Sequence, residues 1–146
     1  MRQKFRKAVF IATYSKINSR IYYLVLKRKL HWIGWEFPKG GMNFLETKKH
    51  AVKRELKEET GLKILKIKKF NIKGKYKYDK IYPDRKGIVG QNYTLFAVET
   101  KKGKAKLDKL EHSAYKWLSF KNAIKKLTWK NQKKCLKVVD KYLNNI

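Results

Sequence analysis

The acidic residues of this chain are concentrated in one segment, Trp35 to Leu62. Of the 11 acidic residues in the 146-residue chain, five lie there, although the formal net charge of the protein is +28. Glu55, Glu58 and Glu59 are spaced i, i+3 and i+4, which places their carboxylates on one face of a helix. Carboxylates held this close together repel one another unless cations lie among them. The segment is therefore the candidate functional centre.

The residues from Thr47 to Glu59 are predicted to form a helix. They include no Gly or Pro and are rich in Leu, Ala, Glu and Lys, and Gly61 stands where a helix ends in a left-handed residue. Pro38 to Gly41 predict a turn before the helix, where the backbone can approach a metal or a phosphate closely. Carboxylate ligands favour Mg²⁺, with Mn²⁺ as the alternative. On charge alone, an exposed helix with an Arg54–Glu58 ion pair is the competing interpretation.

The segment resembles the Nudix box of the Nudix hydrolases. The pattern is Gly, five residues, Glu, seven residues and then Arg-Glu-Leu-x-Glu-Glu-x-Gly-Leu, at Gly40, Glu46, Arg54, Glu55, Leu56, Glu58, Glu59, Gly61 and Leu62. The resemblance implies a hydrolase of pyrophosphate bonds in nucleoside diphosphate derivatives. It also implies the Nudix fold, an α+β protein in which a mixed β-sheet lies between the Nudix helix and C-terminal helices as an α/β/α sandwich. Leu45 departs from the pattern, because the family usually has Gly there.

The resemblance assigns roles by position in the box. The expected metal ligands are Glu55, Glu58, Glu59 and the backbone carbonyl of Gly40. Arg54 and Glu46 match the ion pair that orients the acidic face, and either Glu55 or Glu58 is the general base.

A further ligand is expected from outside the box, and Glu99 and Glu111 are the two candidates. Glu111 is preferred because the segment from Glu111 to Trp117 resembles the Glu-His-x-x-Tyr-x-Trp segment of the asymmetric diadenosine tetraphosphate hydrolases.

The flanks of the box supply the candidate substrate-binding residues. A nucleobase can stack on an aromatic ring, and the candidate rings are Tyr76, Tyr78, Tyr82, Tyr93 and Trp129, of which Tyr82 and Trp129 are the best placed. Arg28, Lys39 and Lys130 are the candidate phosphate ligands. We therefore expect a dinucleoside polyphosphate substrate, such as diadenosine tetraphosphate.

Two alternative functions remain open at this stage. The Phe37–Gly41 turn and Gly90-Gln91 resemble the bacterial RNA 5′-pyrophosphohydrolases as much as the dinucleotide enzymes. A non-catalytic nucleotide-binding or RNA-binding Nudix module is less favoured, because a binding module does not need three mutually repelling carboxylates.

Elsewhere, periodicity predicts strands and two further helices. Residues 7–14 and 20–27 predict a hairpin around the turn Ser15 to Ser19, the alternation from Phe70 onward predicts strands, and residues 88–98 predict a central strand. Tyr115 to Leu118 predicts a short strand. Ser119 and Thr128 are the predicted N-caps of two helices, the second with Trp129, Gln132, Leu136, Val139 and Leu143 on one stripe.

The length and composition of the chain limit what can be expected of its domains, its cysteine, its location and its partners. The chain is expected to be a single domain over residues 1–146, either monomeric or homodimeric. Cys135, the single cysteine, is expected to be a buried structural thiol. No apolar run approaches the roughly 20 residues that a membrane span requires, and no cleavage motif follows the short apolar segment near the N-terminus, so we expect a cytoplasmic protein. The lysine excess either attracts polyanions or reflects a general compositional bias.

Overall fold

The computed structural model describes residues 4–146, which form seven strands, three α-helices and one 3-10 turn. In chain order they are β1 (Lys4–Ile17), β2 (Arg20–Arg28), β3 (Gly34–Glu36), β4 (Lys39–Gly41), α1 (Lys48–Thr60), β5 (Ile64–Lys77), a 3-10 turn (Pro83–Arg85), β6 (Ile88–Thr100), β7 (His112–Leu118), α2 (Phe120–Lys126) and α3 (Lys130–Leu143).

The seven strands form one mixed sheet. Its main path runs β3-β2-β1-β6-β5, while β4 pairs with β1 and β7 pairs with β2. β1 and β6 are parallel, with Ala8 opposite Tyr93, and the other pairings are antiparallel. The prediction of a central strand at residues 88–98 is confirmed, since β6 lies between β1 and β5.

Side chains of alternate residues in the central strands contribute to two apolar cores, one on each face of the sheet. Val9, Ile11 and Val98 pack with Val52 and Leu56 of α1. On the opposite face, the side chains that pack together come from β1, β6 and the two C-terminal helices, and they include Phe10, Leu95, Ala123, Leu136 and Val139. The predicted α/β/α sandwich is therefore confirmed.

Several predicted boundaries differ from the observed ones. The hairpin turn is tighter than predicted, because Asn18 and Ser19 both have positive φ and close it within two residues, which leaves Ser15 in the strand. β5 begins at Ile64 rather than near Phe70. Its first half alternates poorly in hydrophobicity because it lies at an edge of the sheet.

Two of the three predicted helix caps are observed, at Gly61 and Ser119, whereas Thr47, predicted to lie within the helix, is the N-cap of α1. Thr47 and Ser119 accept N-cap hydrogen bonds, and Gly61 ends α1 with φ 67°. Thr128 is not a cap, since its Oγ1 accepts a hydrogen bond from the Trp35 backbone N–H 2.8 Å away, and α3 begins at Lys130. None of the helices within residues 4–146 has the length and apolar character needed to cross a bilayer.

Candidate active site

The burial pattern of α1 directs two of its glutamates inward. Ala51, Val52 and Leu56 are fully buried against the sheet, and Glu55 and Glu59 lie on the same side of the helix. Gly40 of β4 lies directly against Glu55, so a Cβ at position 40 would overlap the carboxylate. Glycine is required at this position because the backbone must approach the acidic side chain closely.

These residues form part of a small cavity that we call the acid cavity. It is lined by Arg6, Arg28, Trp32, Lys39, Gly40, Gly41, Glu55, Glu59, Arg85, Gln91 and Glu111. Three carboxylates and four cationic side chains therefore converge on one space, which is the composition expected where a metal ion and phosphate groups meet.

The carboxylates of the acid cavity suit a divalent cation. Ligand atoms of Glu59, Glu111 and His112 lie within 4.8 Å of one another. Burial raises the pKa of Glu55 to about 6 against the opposing effect of Arg54. Burial, followed by repulsion from Glu55, raises the pKa of Glu59 well above its usual range. Buried carboxylates that repel each other in this way would be stabilised by a hard cation such as Mg²⁺.

Arg54 joins the acidic face to the turn before the helix. Its Nε and Nη2 each lie 2.8 Å from the Glu46 carboxylate, and Nη2 also donates to the Gly41 carbonyl at 2.9 Å. Its Nη1 donates to Glu55 Oε1 at 2.9 Å. Hydrogen bonds from Arg54 hold the pKa of Glu46 far below its usual range. The ion pair predicted between Arg54 and Glu46 is present and fixes the orientation of Glu55.

Glu58 is the predicted ligand that the structure does not bring into the acid cavity. Its side chain is 56% exposed, and its carboxylate pairs with Arg54 Nη1 at 3.3 Å. The i, i+3 spacing from Glu55 carries Glu58 around to the solvent side of the buried face. Glu58 therefore forms the ion pair with Arg54 that an exposed, non-catalytic helix would also have. Its role as a metal ligand stays a prediction.

Glu36 is a site residue that the sequence analysis missed. Its side chain is 0% exposed, yet four donors surround its carboxylate: Arg28 Nη1 at 3.3 Å, Trp32 Nε1 at 3.2 Å, His112 Nε2 at 2.9 Å and Lys39 Nζ at 3.6 Å. Burial alone would raise the pKa of Glu36, but the neighbouring cations and His112 outweigh burial and lower the pKa to about 2. Glu36 is thus a buried anion that holds side chains of the acid cavity in place.

A second, larger cavity, the aromatic cavity, adjoins the acid cavity. It has a volume of about 690 Å³ and is lined by Phe10, His31, Trp32, Ile33, Lys39, Tyr76, Lys77, Tyr78, Asp79, Thr128, Trp129, Asn131 and Gln132. Trp32 and Lys39 line both cavities. Lys39 Nζ lies 4.5 Å from the centre of the Trp32 ring and 3.2 Å from the Tyr76 hydroxyl. Burial lowers the pKa of Lys39, while Glu36 opposes this effect.

The structure separates the predicted substrate-binding residues into two groups. Arg28, Lys39 and Trp129 line the cavities. Tyr82 is buried behind the aromatic cavity, with its hydroxyl 3.2 Å from the His31 carbonyl, and Lys130 is exposed at the start of α3 outside both linings.

Two further candidates also lie outside the cavities. Tyr93 stacks on Phe10 in the core at 3.9 Å between ring centres. Glu99 lies beside Tyr14 in the sheet, so Glu111 is the candidate that reaches the acid cavity.

No pattern in the sequence identified three cationic or aromatic residues of the site. Arg6 and Arg85 line the acid cavity, and Trp32 lies between the two cavities. Burial and then repulsion from Arg85 lower the pKa of Arg6. Arg6 and Arg85 are far apart in the chain and are surrounded by other basic residues. Arg6 lies in β1 and Arg85 in the 3-10 turn just before β6, and the pairing of β1 with β6 brings them to one place.

A family model described as NUDIX domain matches residues 4–139 of the chain. RNA pyrophosphohydrolases of Xanthomonas campestris pv. campestris and Stenotrophomonas maltophilia are 57% identical over 35 residues. That match covers 24% of this chain and 17% of each relative, so it spans a small part of either protein.

Solved structures share the fold over nearly the whole chain. A Caenorhabditis elegans Ap4A hydrolase, solved as a binary complex, has a TM-score of 0.77 at 22% identity, over 97% of this chain and 99% of the other. The NUDIX domain of Shewanella oneidensis NrtR, complexed with ADP-ribose, also has a TM-score of 0.77, at 13% identity, over 97% of this chain and 90% of the other. At these identities the likeness establishes the fold.

Proposed function

Because the chain belongs to the NUDIX domain family, we propose that it is a metal-dependent pyrophosphohydrolase that acts on a dinucleoside polyphosphate such as diadenosine tetraphosphate. The single observation that carries this proposal is the junction of the two cavities. Repelling carboxylates lie in the acid cavity, a nucleoside-sized aromatic cavity adjoins it, and Lys39 and Trp32 belong to both. A phosphate chain and its nucleoside would occupy adjoining spaces.

The residues suited to hold the ion are Glu55, Glu59, Glu111 and the Gly40 carbonyl. A bound Mg²⁺ or Mn²⁺ would neutralise charge on the phosphate chain and polarise the bond that is broken. Arg6, Arg28, Lys39 and Arg85 supply positive charge for the remaining phosphate oxygens.

Glu55 is the proposed general base. In the metal-free protein, burial raises the pKa of Glu55 to about 6, so the carboxylate is ionised at neutral pH and can accept a proton from water. The water oxygen bonds to phosphorus, the bond from phosphorus to the bridging oxygen breaks, and the leaving phosphate departs with that oxygen. Arg54 holds the accepting carboxylate in place. A nucleotide substrate of this kind agrees with the cytoplasmic location that we propose.

Product analysis tests this function. Diadenosine tetraphosphate and a short 5′-triphosphorylated RNA are each incubated with the protein and Mg²⁺, at low and at physiological salt. We expect AMP and ATP from the dinucleotide at a kcat/KM well above that for RNA. Absence of turnover of both substrates, with Mg²⁺ or Mn²⁺, would contradict the proposal.

Trp129→Ala tests the aromatic cavity as the nucleoside subsite. Base stacking contributes about 1–3 kcal/mol, so we expect KM for the dinucleotide to rise about 10-fold or more with a smaller change in kcat. Trp117→Ala is the matched control, because the Trp117 indole donates to the Gly103 carbonyl and lines neither cavity. Equal effects of the two substitutions on KM would contradict the subsite.

Removal of pyrophosphate from the 5′ end of RNA is the second candidate function. Two observations favour it: the local 57% identity to RNA pyrophosphohydrolases and the net charge of +28. The product analysis distinguishes the two functions. Preferential release of pyrophosphate from RNA, at a rate that falls steeply with added salt, would support the RNA pyrophosphohydrolase function over hydrolysis of the dinucleotide. A non-catalytic binding module is disfavoured because the buried carboxylates of Glu55 and Glu59 destabilise a site that holds no cation.

A further inference from the structure

The outer flank of α1 carries a row of lysines that the proposed reaction does not use. Lys49, Lys53 and Lys57 follow one another at i, i+4 intervals, about 6 Å apart along the helix axis, and all three are exposed. Glu55 comes two residues after Lys53, about 200° around the helix at 3.6 residues per turn. One helix thus presents catalytic carboxylates on one flank and unneutralised cations on the other.

This lysine row forms one wall of a groove, the helix groove, of about 620 Å³. Its lining consists of Lys49, Lys53, Lys57, Gly61, Leu62, Lys63, Ile64, Leu65, Lys66 and Ile67. Within residues 4–146, the lysine that lies within 4.0 Å of a carboxylate is Lys39, so the five lysines of the helix groove have no acidic partner. Like charges at this spacing destabilise a helix, and an anionic ligand would relieve the repulsion.

Further lysines extend the positive field beside the helix groove. Lys48, Lys49 and Lys69 line a second depression over Phe96. Burial and then repulsion from Lys73, Lys69 and Lys7 lower the pKa of Lys48. The lysines are close enough to disfavour one another's charge, which an isolated surface lysine would not experience.

A second basic groove, the loop groove, lies between the C-terminal end of α1 and Glu111 of the acid cavity. It has a volume of about 820 Å³ and is lined by Lys29, Ala105, Lys106, Leu107, Lys109, His112 and Ser113. The Lys106 N–H donates to the Thr60 carbonyl at 2.7 Å, which fixes this groove against the end of α1. At its other end, the Lys29 N–H donates to the Glu111 carbonyl at 2.8 Å, and Glu111 lines the acid cavity.

We propose that the helix groove and the loop groove together form a docking surface for single-stranded RNA, with the 5′ end of the RNA directed toward the acid cavity. A concave path lined by lysines fits a flexible phosphate chain, whereas a flat membrane surface would not reach into it. The direction of the 5′ end rests on the second candidate function above, but docking of the chain itself does not depend on any reaction.

The test compares two triple variants with equal loss of charge. Lys49→Gln/Lys53→Gln/Lys57→Gln removes the helix row. Lys134→Gln/Lys137→Gln/Lys141→Gln removes three exposed lysines from α3 on the opposite face of the sheet. Both triples retain helix-forming side chains, and their folding is checked by thermal denaturation. Binding of a 20-nucleotide 5′-hydroxyl RNA, which has no pyrophosphate to lose, is measured from 50 to 300 mM salt.

We expect the α1 triple to weaken RNA binding at least 10-fold at 150 mM salt. The slope of log K against log salt should become shallower by about 2, at about 0.7 for each phosphate of the single strand that the variant no longer neutralises. The α3 triple should change binding less than threefold, and hydrolysis of diadenosine tetraphosphate should be unchanged in both triples. The difference in RNA binding between the two triples would support the docking surface even if neither candidate substrate were turned over.

Three results would overturn the docking surface. Equal weakening by both triples would mean that net charge alone binds RNA. Undetectable binding of RNA by the unmodified protein at 150 mM salt would also exclude it. The third is binding to phosphatidylserine vesicles that is lost in the α1 triple while RNA binding is retained, which would assign the lysines to a membrane surface.

Discussion

Glu36 connects three of the side chains that line the two cavities. Its buried carboxylate contacts Arg28, Trp32 and Lys39, and His112 completes its shell of donors. Removing the anion would leave two buried cations without their partner, a change that commonly costs about 3–5 kcal/mol. Glu36 is therefore a positioning residue, although it lines neither cavity.

Glu36→Gln should raise KM for the nucleotide substrate about 10-fold or more and lower the free energy of unfolding by about 3 kcal/mol. Steady-state kinetics below the melting temperature of the variant separate these effects, because loss of folded protein lowers the apparent kcat without raising KM. Glu99→Gln, at a half-buried glutamate outside the cavities, is the control. An unchanged KM in Glu36→Gln would show that Glu36 is structural.

Glu55 illustrates the conflict between stability and function in the acid cavity. Because its pKa is raised to about 6, Glu55 is ionised at neutral pH, but this ionisation lowers the stability of the folded protein. Metal-free Glu55→Gln should therefore be about 2 kcal/mol more stable than the unmodified protein at pH 7.5, at about 1.4 kcal/mol per pH unit. Its turnover should fall at least 100-fold.

Urea denaturation in EDTA measures the stability gain, and a loss of stability would contradict the inferred repulsion. Glu58→Gln is the informative comparison, since that side chain is exposed. Loss of turnover without a change in metal-free stability would add Glu58 to the metal ligands, whereas normal turnover at saturating Mg²⁺ would exclude it.

At the level of elements, local signals predicted α1 and its ends correctly. The spacing of the glutamates, the run without Gly or Pro and the Gly61 terminus all lie within one short segment. Contacts between distant segments were not predictable in this way. Glu36 meets His112 76 positions later, and Thr128 bonds to Trp35 across 93 positions instead of capping α3. Tyr82 and Lys130 were misplaced for the same reason, because burial depends on how the loops pack.

Gly61→Ala tests whether the function of the glutamates on α1 depends on the left-handed residue that ends the helix. Gly61 has φ 67°, and a Cβ there would lie 3.5 Å from the Lys106 Cβ, so the cost is conformational rather than steric. We expect a loss of about 1–2 kcal/mol in the free energy of unfolding with kcat changed less than twofold. Gly103→Ala is the control, since a Cβ there meets no atom within 4 Å. Equal stability of both variants would contradict the inference that the positive φ at position 61 disfavours alanine.

For the whole molecule, the buried carboxylates predict how stability depends on pH and metal. Glu55 and Glu59 have raised pKa values in the folded state, so their favourable contribution is complete below about pH 4.5 and is lost as the pH rises through those raised values, which for Glu55 is about 6. Glu36 has a lowered pKa, so its contribution is present above about pH 4.5 and is lost as the pH falls toward about 2.

Calorimetry in EDTA should therefore give a maximum Tm near pH 5 and a decline toward pH 7.5. Added Mg²⁺ should raise Tm more at pH 7.5 than at pH 5, because the ion binds the ionised carboxylates. A metal-free Tm that rises between pH 5 and pH 7.5 would contradict the raised pKa values of the acid cavity.

The parallel pairing of β1 with β6 has a consequence for how the chain emerges from the ribosome. Ala8 pairs with Tyr93, which lies 85 positions later. At about 5–20 residues per second, one edge of β1 stays without its partner for roughly 4–17 s during synthesis. Val9, Phe10 and Ile11, fully buried in the finished sheet, remain accessible during that interval. Nascent chains of this protein should therefore be clients of ribosome-associated chaperones until β6 is made.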